Sequence, residues 1–315
     1  MSMGRPWLTV EAVLATAVLG ASVAYWGVRG DDRAFYTSMS DAARVPAAVR
    51  PVEGASTGSY TWDCGRNQNG HRNTGNPVVS PGVAGPAHHE HDFVGNLGVR
   101  ADSRLEDLPG QSTSCTNGDA STYYWPVLRL GTTKEHHGPA LVPTSLTLTY
   151  LGNPRGPVVA MPRLLVAAVG DAYAYTNKNG SARSEWSCSN TPDRTTMKYP
   201  ICDDGAEVVR IFDFPSCWDG RQLDSANHRQ QVVFPAAGGG CPAGTFAVPH
   251  LKISMTYAVP AGRRYRIDAF DGQRRSPLTD HGFMVNLMPD DLMKRVVTCL
   301  NAGQACDGTT GSRSG

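Results

Sequence analysis

The segment SLTLTYLG, residues 145–152, decides the fold class, because apolar and polar side chains alternate along it. Alternation with a period of two is typical of a β-strand that buries one face. Short β-branched or aromatic segments bounded by glycine or proline recur along the chain, in EVVRIFDF (207–214), QVVF (231–234), KISMTYAV (252–259) and RYRIDAF (264–270). The apolar run LLVAAVG (164–170) fits a fully buried strand. The sequence therefore predicts a mainly β protein.

One amphipathic helix is expected near the C-terminus. In PDDLMKRVVTCLNAG (289–303), Leu292, Val296 and Leu300 fall at helical spacing, and the flanking proline and glycine suit a helix start and stop. No repeat, linker or regular strand–helix alternation interrupts residues 59–306. We therefore predict a single β-sandwich or jelly-roll-like domain over residues 59–306, with one helix at about residues 290–301.

The segment WLTVEAVLATAVLGASVAYWGV, residues 7–28, contains a single charged residue, Glu11. A membrane-spanning helix needs about 20 apolar residues, whereas a signal peptide has a shorter apolar core followed by small residues. Residues 1–28 therefore indicate either an anchor in the cell membrane or a signal peptide cleaved near Ala24; a buried core helix is the third interpretation. In the first two, the rest of the chain lies outside the cytoplasm.

The flanking segments and the cysteines fit an exported domain. Small and polar residues predict a stalk over residues 29–58 and a flexible tail over 307–315. All eight cysteines follow the apolar segment, which indicates up to four disulfides. Eight cysteines allow 105 pairings. The short loops suggest Cys188–Cys202, Cys217–Cys241 and Cys299–Cys306, but spacing alone does not decide among the pairings.

Composition excludes several classes of protein. Charged residues make up 18% and apolar residues 40% of the 315 residues, which fits neither a disordered chain nor a polytopic membrane protein. The formal net charge of +1 provides no basic field for nucleic acid, so we expect no nucleic-acid partner.

The segment AHHEHDFVGN, residues 87–96, has the pattern of a metal site. On a strand, His89 and His91 would point to the same side, and paired imidazoles suit zinc or copper. A third ligand would come from His228 in LDSANHRQQ or His281 in LTDHGFMVN. Two alternatives stay open. The histidines could line a polar cleft, with one of them oriented as a general base by Asp224 or Asp280, or they could have a structural or surface role.

Aromatic residues and an acid lie together in CTNGDASTYYWPVL, residues 115–128. Sugar-binding clefts stack aromatic rings on apolar sugar faces and orient the sugar with polar groups, which makes Asp119 a candidate at the rim of the site. The alternative for Trp125 is an ordinary place in the core.

These blocks, together with FPSCWDGRQLDSANHR (214–229) and CPAGTF (241–246), resemble the family called domain of unknown function 1996, in its bacterial, actinobacterial-like branch. The resemblance covers roughly residues 60–300 and implies export and a polysaccharide-related role. It matches His89, His91, His228 and His281 to family histidines. The chain departs from the family where Gln231 replaces a second histidine and Phe283 replaces the aspartate of an H-x-D-F block.

Two functions follow from the sequence. The first is an exported cell-surface enzyme acting on an extracellular glycan, with His89, His91, His228, His281 and Asp119 in its site and a divalent metal, zinc or copper, held by His89 and His91. The second is a non-catalytic extracellular carbohydrate-binding or structural module. In both, residues 7–28 would connect the chain to the membrane unless they are cleaved.

Overall fold

A six-stranded sheet forms around the segment that predicts the fold class. The computed structural model describes Met1 and residues 34–85, 89–131 and 138–308. With strands numbered in chain order, the six-stranded sheet consists of β10 (Glu185–Cys188), β13 (Val208–Asp213), β17 (His250–Tyr257), β8 (Ser145–Leu151), β3 (Ser59–Trp62) and β20 (Ala305–Asp307). Neighbouring strands are antiparallel except β3 and β20, which are parallel.

A five-stranded antiparallel sheet carries the residues of the candidate site. Its spatial order is β4 (Arg72–Asn73), β5 (His91–Gly95), β6 (Thr122–Pro126), β19 (His281–Val285) and β9 (Val166–Gly170). Every residue of β5, β6, β9 and β19 is buried. These strands therefore have protein on both faces, which explains why their sequences do not alternate between apolar and polar residues.

Shorter elements complete the described part of the chain. Three strand pairs are parallel β1 (Tyr36–Ser38) with β12 (Tyr199–Ile201), antiparallel β2 (Ala43–Arg44) with β11 (Arg194–Thr195), and antiparallel β7 (Leu128–Leu130) with β18 (Tyr265–Ile267). A small antiparallel sheet consists of β15 (Val232–Val233), β14 (Cys217–Trp218) and β16 (Phe246–Ala247). The helical elements are the 3₁₀ turns Met39–Asp41, Leu105–Asp107 and Pro277–Thr279 and the α-helix Asp290–Asn301. Among the described strands, no sheet closes into a barrel.

The mainly β class and the single C-terminal helix are confirmed. The segment 145–152 contains β8, and the other predicted strands contain β9, β13, β15 and β18 and most of β17. The helix spans Asp290–Asn301 and buries Leu292, Val296 and Leu300, the predicted apolar stripe. The two large sheets share one hydrophobic core, in which Tyr150 of β8 and Trp125 of β6 are both fully buried. The shared core fits two packed layers, but the sandwich or jelly-roll type stays a prediction.

All eight cysteines are paired. The disulfides are Cys64–Cys115, Cys188–Cys202, Cys217–Cys241 and Cys299–Cys306. All four disulfides that eight cysteines allow are formed, and the three pairs suggested by short loops are confirmed. The fourth pair closes a separation of 51 residues.

Part of the segment expected to be a stalk packs onto the domain instead. Phe35 and Met39 are buried, and β1 pairs with β12. The Arg194 guanidinium donates hydrogen bonds to the carbonyl oxygens of Ser40 and Ala42. The stalk expectation therefore does not hold for residues 35–44, whose apolar side chains and backbone groups find partners on the domain.

The expected membrane or signal helix at residues 7–28 lies outside the described residues, as does most of the expected tail. In the part of the chain that the structure describes, no helix is long and apolar enough to cross a membrane.

A buried ion pair joins the two large sheets. Arg210 of β13 donates to both carboxylate oxygens of Asp280, which precedes β19, at 3.0 and 2.5 Å. Its remaining nitrogen donates to the carbonyl oxygen of Pro126 in β6 at 2.9 Å. Both charged side chains are fully buried.

We predict that Arg210→Ala lowers the free energy of unfolding by about 3–5 kcal/mol, because it leaves Asp280 as an unpaired charge in the core. Chemical denaturation followed by tryptophan fluorescence measures the change. Arg44→Ala is the control, since it removes only an exposed ion pair with Asp193 and should cost about 1 kcal/mol or less. Equal losses in the two variants would contradict a central role for the buried pair.

Candidate metal centre

Three of the four predicted histidines meet in one buried group. The ligand nitrogens of His89, His91 and His281 all lie within 4.8 Å of one another, and the Nε2 atoms of His89 and His281 are 3.2 Å apart. The three residues are 7%, 1% and 3% exposed. A tetrahedral zinc ion with 2.0–2.1 Å bonds holds its ligand nitrogens about 3.3 Å apart. Small side-chain rotations would therefore let this group hold a metal ion.

A repeated H-x-F pattern on two strands places two of these histidines. His91 and Phe93 lie on one face of β5, and His281 and Phe283 lie on the same face of β19. The Tyr124 ring of the intervening β6 stacks on both phenylalanines, with centroids 5.2 and 5.1 Å away. Since the stack fixes the register, both histidines come to the same end of the sheet. The H-x-F repeat is the sequence signal that could have chosen His281 over His228 as the third ligand.

The acidic residues next to the three grouped histidines point away from them. Glu90, between His89 and His91, pairs with Arg129, which also lies 3.2 Å from Asp268. On the far side of His91, Asp92 pairs with Arg72 at 2.7 Å. Because side chains alternate along an extended segment, holding these acids on one side turns the histidines to the other.

Backbone carbonyls set the tautomers of two of the rings. The Nδ1 atom of His91 donates to the Gly75 carbonyl at 3.1 Å, and Nδ1 of His281 donates to the Thr279 carbonyl at 2.8 Å. In the neutral rings the lone pair is therefore on Nε2. Histidines that bind metal ions have the same arrangement, in which one ring nitrogen binds the metal and the other donates a hydrogen bond. A Cβ at Gly75 would lie 2.4 Å from the Arg100 carbonyl oxygen, so a glycine is needed for this approach.

Burial keeps His281 neutral. It lowers the pKa of His281 to about 4, against smaller opposing effects of the Thr279 carbonyl and Asp280. The positive charges of Arg210 and Arg229 lower this pKa further. Neutral imidazole is the form that binds metal, so the ring is ready as a ligand at neutral pH.

An aromatic pair links the group to the surface. The His89 and Phe270 rings meet edge to face, with their centroids 4.5 Å apart, and Phe270 stacks on Tyr173 with an interplanar angle of 8°. Tyr173 is 45% exposed. Sequence reasoning did not find this pair, because Tyr173 and Phe270 are far apart along the chain and meet only in the folded protein.

His228 lies outside the group of three, in a pair with Asp224. Its Nδ1 atom is 2.9 Å from both carboxylate oxygens of Asp224, and both side chains are partly exposed. Of the two acids suggested to orient a histidine, Asp224 does so, whereas Asp280 binds Arg210. The loop that carries this pair runs along β9 of the same sheet, since the Val166 N–H donates to the Leu223 carbonyl at 2.8 Å.

Gln231 anchors the loop that carries this pair. Its amide nitrogen donates to the Val166 carbonyl at 2.8 Å, and its amide oxygen accepts from the Ser225 hydroxyl at 2.6 Å. The side chain is fully buried. The family resemblance predicts a histidine at this position. The chain instead has a glutamine, whose amide holds the loop in place through these two hydrogen bonds.

Asp119 is not brought to the histidines. It is fully buried and accepts hydrogen bonds from Trp62, Tyr123 and Ser121. Asp119 precedes the Thr122 end of β6, whereas His91 pairs with residue 126 at the other end. At about 3.3 Å per residue, the ends of β6 are on the order of 13 Å apart. The aromatic neighbours of Asp119 satisfy its carboxylate in the core, where burial raises its pKa.

The fold and this site define a disulfide-rich β domain with a three-histidine centre. The model of a family described as domain of unknown function (DUF1996) matches residues 76–278. The match covers more than half of the chain, so the chain belongs to this family, as the sequence resemblance predicted. His281 lies just beyond the end of the match. No curated protein and no solved structure matches the chain.

The pKa of His281 predicts how the metal-free protein responds to acid. The unfolded chain takes up this proton below about pH 6.5, whereas the folded protein resists it until about pH 4. Stability is therefore fully present above pH 6.5 and is lost as the pH falls to 4, by up to about 3 kcal/mol. Urea unfolding in a chelator between pH 4 and 7 measures the slope. His281→Gln should flatten it, and an unchanged slope in that variant would contradict a buried neutral imidazole.

Proposed function

We propose that the chain is an exported enzyme with a single zinc ion that acts on an extracellular glycan. The observation that carries the proposal is the buried group of His89, His91 and His281, with two tautomers already set for binding through Nε2. Three histidines are a known ligand set of catalytic zinc, which keeps a further coordination position open. Imidazole also suits copper, and a metal analysis distinguishes the two.

Export is part of the proposal and rests on the disulfides. Four disulfides account for all eight cysteines, which is characteristic of oxidising compartments. Residues 7–28 would then serve as an anchor that leaves the domain outside the cell membrane, or as a signal peptide cleaved near Ala24.

The surrounding residues suit hydrolysis of a sugar polymer. A bound zinc ion would supply Lewis-acid chemistry. Asp224 holds the Nδ1 atom of His228. His228 would then act as the general base, accepting a proton from water at its Nε2 atom. The exposed Tyr173 ring offers a surface on which a sugar ring can stack.

A second candidate is a carbohydrate-binding module without turnover. One observation favours it: the 3.2 Å contact between the Nε2 atoms of His89 and His281 can be a hydrogen bond that joins the rings without an ion. In that case the histidines have a structural role and Tyr173 provides the binding surface.

We predict that the purified, untagged chain binds one zinc ion and that His91→Ala weakens zinc binding by about 100-fold or more, since three ligands act on one ion. Elemental analysis and titration against a chromophoric chelator measure this. His250→Ala is the matched control, because that histidine pairs with Asp213 outside the group. Equal zinc affinity in the two variants would contradict the centre, and selective copper loading would replace zinc in the proposal.

We predict that His228→Gln lowers glycan hydrolysis by about 10²–10⁴-fold, the usual contribution of a general base, with zinc affinity unchanged. Asp224→Asn should also lower the rate, and the double variant should lose little more than His228→Gln alone, because the two residues act as a unit. Release of reducing sugar from a panel of polysaccharides gives the rates. If zinc does not bind and no polymer is cleaved, while Tyr173→Ala abolishes glycan binding, the second candidate function replaces the first.

A further inference from the structure

A cavity on the outer face of the six-stranded sheet has no part in the function proposed above. Its volume is about 410 Å³, within the range of about 300–1,000 Å³ that is usual for small-molecule sites. Charged, aromatic and proline side chains line it, namely Arg183, Glu185, Asp213, Phe234, Pro235 and His250. The cavity therefore offers polar and apolar surface to the same ligand.

Strand register places three of these side chains on one face of the sheet. Residues that pair directly across antiparallel strands project to the same face. Glu185 of β10 pairs with Ile211, and Asp213 lies two residues further along β13 on the same side. Asp213 pairs with Lys252 of β17, and His250 lies two residues before that lysine. Glu185, Asp213 and His250 therefore converge from three neighbouring strands.

This face is turned away from the histidine group. Along β13, Arg210 and Phe212 project to the other face, where Arg210 binds Asp280 and Phe212 lies in the shared core. Because side chains alternate along a strand, Asp213 projects outward. The six-stranded sheet therefore lies between the cavity and β19, the strand that carries His281, so the cavity is a separate site.

Two contacts fix the walls of the cavity. The Nε2 atom of His250 donates to a carboxylate oxygen of Asp213, and the two side chains are 23% and 44% exposed, so both stay accessible to a ligand. The guanidinium carbon of Arg183 lies 4.8 Å from the centroid of the Phe234 ring. A cation over an aromatic ring is a favourable contact, and here it holds the segment after β15 against the residues that precede β10.

The charges around the cavity favour a ligand that is itself uncharged. Two carboxylates, of Glu185 and Asp213, are balanced by the guanidinium of Arg183 and by the ammonium of Lys252 on the same face. The two acids are diagonal neighbours, with Cβ atoms about 7–8 Å apart. Among the described residues, the groups close enough to hold a metal ion do not include them. Neither an anion nor a metal ion matches this arrangement.

A neutral sugar matches it. A hydroxyl group both donates and accepts hydrogen bonds, whereas a carboxylate only accepts them and a guanidinium only donates them. Neighbouring sugar hydroxyls can therefore donate to Glu185 or Asp213 and accept from Arg183. Phe234 and Pro235 supply apolar surface for the C–H groups of the sugar ring.

We propose that this cavity binds one neutral sugar unit of an extracellular glycan, at a site separate from the three histidines. The inference goes beyond the proposed function, because sugar binding here requires neither a metal ion nor turnover. A second binding site gives the chain another point of attachment to a polymer, and linked sites bind a polymer more tightly than either site alone.

Saturation-transfer NMR titration of the full chain tests the proposal, with and without a chelator. The neutral probes are glucose, galactose, mannose and N-acetylglucosamine, and the charged probes are glucuronate and glucosamine. We expect at least one neutral sugar to bind, equally well with and without the chelator. Asp213→Asn and Glu185→Gln should each weaken its binding at least 10-fold, or about 1.4 kcal/mol. Tyr173→Ala should leave this binding in place, because the Tyr173 ring is not part of the cavity.

Asp291→Asn is the matched control, since Asp291 is an exposed acid of the C-terminal helix that pairs with Arg295. It should bind the sugar as the original protein does, and urea unfolding confirms that each variant is folded. Because Asp213→Asn also changes the contact with His250, Glu185→Gln is the decisive variant.

Three results would overturn the inference: no neutral sugar binds, a charged sugar binds while no neutral one does, or Glu185→Gln binds the sugar as well as the original protein. Loss of binding in Tyr173→Ala would assign the sugar to the Tyr173 ring and would also overturn it. The metal centre is tested separately by the zinc titration. Failure of zinc to bind would leave this inference standing, and failure of the sugar to bind would leave the metal centre standing.

Discussion

The buried ion pair between Arg210 and Asp280 is the interaction on which the candidate site depends. Asp280 lies between Thr279 and His281 in the sequence, and the Thr279 carbonyl sets the tautomer of His281. The same guanidinium binds the Pro126 carbonyl, at the end of β6 that pairs with His91. One cation from the six-stranded sheet therefore fixes the ends of two strands of the other sheet. Together with the stack of Tyr124 on Phe93 and Phe283, the ion pair holds the strand ends at which the histidines meet.

The fold could be predicted where one face of a strand meets solvent. In β8, Leu148 and Tyr150 are buried while Thr147 is exposed, and this contrast appears in the sequence as alternation. The strands β5, β6 and β19 have protein on both faces, so alternation is lost and residue type no longer tells the faces apart. The short disulfide loops followed from proximity along the chain, whereas the Cys64–Cys115 pair depends on tertiary contacts.

The site could be predicted only in its local parts. His89 and His91 are two residues apart, and Asp224 and His228 are four apart, so spacing was enough to suggest both pairs. His281 lies 192 residues from His89 and reaches it only through strand register. Asp119 is the opposite case, because its sequence neighbours suggested a site residue and the structure places it in the core. A carboxylate among aromatic residues resembles a sugar site in sequence, but here aromatic N–H and O–H groups satisfy it in the core.

The proposal of zinc or copper, rather than a hard cation, rests on where the neighbouring acids point. Glu90, Asp92 and Asp280 are direct sequence neighbours of the ligand histidines, and each has its own arginine: Arg129, Arg72 and Arg210. These ion pairs hold the carboxylates away from the centre, so the donor set consists of imidazoles alone. Calcium and magnesium require oxygen ligands, whereas zinc and copper accept nitrogen. The ion pairs therefore turn the carboxylates away from the histidines, and a metal bound by this group, as proposed, would be one that accepts nitrogen ligands.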